Sequence, residues 1–80
     1  MNYELLAADL LDRTRDALVK ICQLAVDTGI TFKVDDVVQM VEDDLPGWYP
    51  APTAPGAPSR RDMVATMTAD LLRDRLGGVR

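Results

Sequence analysis

Between residues 3 and 28 the hydrophobic positions recur with the period of a helix. Projected at about 100° per residue, Asp9, Asp12, Arg13, Asp16, Lys20, Gln23 and Asp27 fall in one narrow sector, and Leu6, Ala7, Leu10, Leu11, Leu18, Ile21, Cys22, Leu24 and Ala25 occupy the rest. Asn2 is placed to cap the start and Gly29 to end the helix in a left-handed conformation, while Asp9 with Arg13 and Asp16 with Lys20 stand at supportive i,i+4 spacing. At 1.5 Å per residue such a helix is about 39 Å long. Its apolar sector spans about 200°, roughly twice that of an ordinary surface helix, so it asks to be covered from more than one side.

Residues 30–34 alternate apolar and polar, which predicts a short extended segment leading to Asp35 as the cap of a second helix. In that helix Val37, Val38, Met40, Val41 and Leu45 share one face and Gln39, Glu42 and Asp43 the other, until Pro46 and Gly47 end it. Residues 46–58 then form a proline-rich connection, expected to be extended. Ser59 opens a third helix through a capping box with Asp62, and Gly77 with Gly78 closes it. This helix carries two apolar stripes: Met63, Val64, Met67 and Leu71, then Ala65, Ala69, Leu72 and Leu76, with Arg61, Thr68 and Arg75 between them. The second stripe is either further core or a seam for another helix. The pattern as a whole predicts an all-α fold, a single three-helix domain over residues 1–80.

With 80 residues, 48% of them hydrophobic and 28% charged, the chain can build a core, but a small one that oligomerisation would help to stabilise. The charges are lopsided, eleven Asp against two Glu and seven Arg against two Lys, a bias of GC-rich bacterial or phage coding sequences. The net charge of -4 speaks against a surface devoted to nucleic acid, although the last third of the chain is locally basic. Cys22 is the only cysteine, which rules out an intrachain disulfide. No apolar run approaches a membrane span, and Glu4 and Asp9 stand where a signal peptide would be cationic, so a cytoplasmic protein is expected.

The chain contains no histidine, which removes the commonest general base and the imidazole metal ligands. Cys22 falls in the apolar sector of its helix and reads as an inert thiol. The acidic clusters Asp35-Asp36 and Glu42-Asp43-Asp44 lack the spacing of a calcium loop. Asp35-Asp36 suits a helix N-terminus, whereas Glu42, Asp43 and Asp44 near a C-terminus are less favourably placed, which leaves a cationic partner for that edge as one reading. Gly77-Gly78 follows a helix and cannot cradle a phosphate at a helix start. No catalytic residue, cofactor or metal is expected.

What remains is binding. Trp48 and Tyr49 follow a helix-ending Leu45-Pro46-Gly47 and either fold back over the first helix or anchor a partner. The leading expectation is a non-enzymatic interaction or regulatory module acting on a partner protein, and a homodimer. Its candidate contacts are Trp48, Tyr49, Ala65, Ala69, Leu72 and Leu76, or the wide face of the first helix. The alternative is a DNA-binding regulator with an atypical helix-turn-helix arrangement, using Ser59, Arg60, Arg61, Thr66 and Arg73 on groove and phosphate. Against it, the connection between the second and third helices, about 13 residues, far exceeds the tight turn of that motif.

Overall fold

A computed structural model describes residues 3–53 and 55–77, so Asn2, Gly78 and the side chain of Leu76 lie outside the described residues. The described residues form three helices, α1 (Tyr3–Thr28), α2 (Val34–Asp44) and α3 (Arg60–Gly77), and no strand. The all-α, three-helix architecture expected from the hydrophobic pattern is the one observed. The long dimension, 39 Å, is the length of α1, and the thinnest is 17 Å. Each helix packs against both others.

α1 ends where its glycine directs. Gly29 has φ 73°, and its N–H donates to the Ala25 carbonyl at 2.8 Å. The segment after it alternates only in its second half: Phe32 and Val34 pack on the core and Thr31 and Lys33 face solvent, but Ile30 is exposed as well.

The cap of α2 is Lys33, correcting the assignment to Asp35. Lys33 is extended, with φ -117° and ψ 167°, and its backbone N–H donates to the Asp36 carboxylate at 2.8 Å. Val34 is already helical and packs against the core, which draws the helix start forward. Asp35 and Asp36 therefore sit in the first turn, where the positive end of the helix favours carboxylates. Leu45, preceding Pro46, is held extended at φ -75° and ψ 136°, and this stops the helix at Asp44.

α3 opens as its cap predicts: Ser59 Oγ accepts the Asp62 N–H at 3.1 Å. The two stripes, however, are not divided by a polar strip along their whole length. Thr68, expected to divide them, is fully buried, and its hydroxyl donates to the Val64 carbonyl at 2.8 Å. That bond to the carbonyl four residues back satisfies the only polar group of the side chain, leaving a surface as apolar as valine. Met63 and Val64 lie in the core and Ala65, Met67, Leu71 and Leu72 pack partly against it, while Ala69 is exposed. Thr14 does the same on α1, donating to the Leu10 carbonyl at 2.7 Å.

The core joins Leu6, Leu10, Ala17, Leu18 and Ile21 of α1 to Val37, Val38 and Val41 of α2 and to Met63 and Val64 of α3. Its one aromatic, Tyr49, comes from the connection. Each large aliphatic side chain buried there contributes about 1.5–3 kcal/mol, so few can be spared. Leu10, fully buried on α1, gives the clearest check. Leu10→Ala should lower the unfolding free energy by about 2–5 kcal/mol in urea titration, and a loss below 1 kcal/mol would contradict this packing.

Candidate interaction surface

Tyr49 organises the polar side of the molecule. A turn closed by its N–H on the Pro46 carbonyl at 3.0 Å throws the side chain back over α1, where it is only 5% exposed. Its hydroxyl donates to Asp9 Oδ2, which also accepts Arg13 Nε at 2.8 Å. The guanidinium carbons of Arg13 and Arg60 lie 5.2 and 5.8 Å from the ring centroid, so two cations use one aromatic face system. Arg60 also donates to the Tyr49 carbonyl at 3.0 Å and, through Nε and Nη2, to both carboxylate oxygens of Glu42 at 3.3 and 3.0 Å.

The cation that meets Glu42 is Arg60 of the same chain. Glu42 was expected on the outer face of α2, yet its side chain is only 13% exposed, because the forked Arg60 guanidinium draws it inward. Ionisation follows from these contacts. The Tyr49 hydroxyl, then Arg13, hold the Asp9 carboxyl below its ordinary value. Burial, then the bond to Asp9, push the Tyr49 phenol up to about 12, and the Asp9 carboxylate raises Arg13.

The sequence-chosen candidates are scattered. Trp48 is 76% exposed, its ring stacked on Tyr49 with centroids 6.2 Å apart, whereas Tyr49 is enclosed. The turn seats Tyr49 against α1 and leaves Trp48 stacked on its outer side, which splits the pair. Ala65 and Leu72 pack partly on the core and Ala69 faces solvent, so these three do not make one patch. Of the basic set, Arg60 is committed inward, Ser59 caps α3, and Arg73 pairs with Asp70 at 2.7 Å. Arg61 and Thr66 are exposed. Among the described residues no group of three or more carboxylate or thiol side chains is placed to hold a metal, and no helix is long and apolar enough to cross a membrane.

Of the wide face of the first helix, the sector left bare is the outer side of α1. Val19 is 63% and Val26 79% exposed, with Ala8, Asp12 and Arg15 exposed and Cys22 half-buried on the same side. Beside them runs an apolar groove between α1 and α3, with Leu11, Leu18, Met67 and Leu71 in its lining. Arg15 stands on its α1 rim and Asp70 and Asp74 on its α3 rim, without forming an ion pair across it. The projection placed the polar sector well, but it did not show which part of the wide apolar sector α2 and α3 would leave uncovered.

Compared with protein-family models, with curated proteins and with solved structures, the chain matches none.

The Tyr49 cluster makes stability depend on pH at both ends. Asp9 has a lowered pKa in the fold, so its contribution is present above the ordinary carboxylate value and is lost as the pH falls through the folded value. Tyr49 has a raised one, so its contribution is present below about 10 and is lost as the pH rises towards 12. In the Tyr3→Phe variant, which leaves Tyr49 the only tyrosine, absorbance at alkaline pH should show a phenol titrating near 12; a midpoint near 10 would contradict the burial. Tyr49→Phe should cost about 1 kcal/mol and flatten both limbs.

Proposed function

We propose that the chain is a self-associating protein-interaction module that acts by binding protein rather than by catalysis, in a reducing compartment suited to its single thiol. The observation that carries this is the outer side of α1, where Val19 and Val26 remain exposed beside an apolar groove although the helix already contributes Leu6, Leu10, Ala17, Leu18 and Ile21 to the core. Scattered exposed hydrophobics are ordinary, but aligned ones that continue into a groove mark a contact surface. The DNA-binding alternative loses its strongest support, because the guanidinium of Arg60 is spent on Glu42 and Tyr49.

The experiment is solution mass by light scattering over a wide concentration range. The wild-type chain should double its mass. The Val19→Glu, Val26→Glu double variant should keep its helical circular dichroism and weaken association at least tenfold, about 1.4 kcal/mol. A wild-type chain that stays monomeric throughout would sink the proposal.

A further inference from the structure

We propose that the partner on the outer side of α1 is a second copy of this chain, and that the two α1 helices pair antiparallel about a two-fold axis between Arg13 and Thr14. This rests on the self-association proposed above and adds to it an orientation and a register.

Ala8, Asp12, Arg15, Val19, Cys22 and Val26 succeed one another at alternating steps of four and three residues, the spacing of a helix–helix seam. Five of them are exposed on the outer side of α1, and Cys22, half-buried, stands at the edge of that side, where it also packs against the core. The stripe is apolar towards both ends and carries one anion and one cation at its middle. Neither Asp12 nor Arg15 has a side-chain partner among the described residues, whereas Asp9, Arg13, Glu42 and Arg60 are all paired.

The two charges decide the geometry. In a parallel pair, Asp12 would meet the partner's Asp12 and Arg15 the partner's Arg15, so both central layers would repel. In the antiparallel pair about this axis, Asp12 meets the partner's Arg15 and Arg15 the partner's Asp12, each contact made twice by symmetry. The layers beyond are then Val19 on the partner's Ala8, a large residue on a small one, and Cys22 on the partner's Leu5. A slip of one heptad in either direction sets both charges against apolar side chains, which leaves them desolvated and unpaired. The overlap covers most of the length of α1.

The test uses the full-length chain in two parts. Asp12→Arg puts two cations in each central layer and Arg15→Asp two anions in each, so each variant alone should be monomeric where the wild type is dimeric, with unchanged helical circular dichroism. Mixed in equal amounts they should associate with each other, a rescue that no contact within one chain can produce. In the second part, Leu5→Cys should be joined to the partner's Cys22 by a short thiol cross-linker and run as a dimer. Within one chain positions 5 and 22 are about 25 Å apart along the same helix, beyond the reach of such a reagent. Wild-type Cys22 should not couple to the partner's Cys22, since that pair is separated by a similar distance. A dimer indifferent to both charge variants, a mixture that stays monomeric, or a wild-type chain that dimerises through Cys22 would overturn this register while leaving self-association standing. A wild-type monomer at all concentrations would overturn both.

Discussion

The structure depends on how one tyrosine from an irregular segment is held against three helices. Tyr49 gives its hydroxyl to Asp9 of α1, its ring to Arg13 of α1 and Arg60 of α3, and its carbonyl to Arg60, which in turn grips Glu42 of α2. Five residues thereby tie all three helices and the connection into one hydrogen-bonded chain. The apolar core is nearly all aliphatic and directs packing only loosely. The polar chain supplies direction, because a bidentate guanidinium and a phenol accept few alternative placements.

That arrangement also explains the shape of the surface. Tyr49 and Arg60 close the side of α1 that carries Asp9 and Arg13, and α2 and α3 close the side that carries Leu10 and Ile21. A helix of 26 residues has more perimeter than two shorter neighbours can cover. In so small a domain the uncovered remainder is a consequence of length, and the chain has lined it with valines at Val19 and Val26 rather than with more charge.

Periodicity made the helices legible, and caps made most of their ends legible: Gly29, Ser59 and Pro46 act as their chemistry implies. Two misjudgements share a cause. Thr68 reads as a polar divider and Glu42 as a solvent-facing acid, because a one-dimensional pattern counts a polar side chain as outward. Thr68 hides its hydroxyl on its own helix and is buried, and Glu42 finds a cation eighteen residues away and is drawn partly inward, each at little cost. Lys33 displaced Asp35 as a cap for a related reason: the hydrophobic demand of Val34 outweighed the better capping side chain. The candidate surface was half legible. The excess apolar width of α1 was plain in the sequence, but which sector stays bare follows only from where the neighbours pack.

The proline-rich connection changes its meaning once Tyr49 is fixed. Its first part is anchored to α1, and its last residues are anchored through Ser59 and Arg60. The turn at Pro55 and Gly56, where Gly56 adopts φ 77° and both residues are exposed, bridges two points that are already tethered. Such a turn carries little of the energy that orders the chain, and lengthening it adds closure entropy only slowly. The domain is in that sense two cooperating pieces with a removable hinge pin, and the turn is where nature or an engineer can cut, splice or extend it without disturbing the rest.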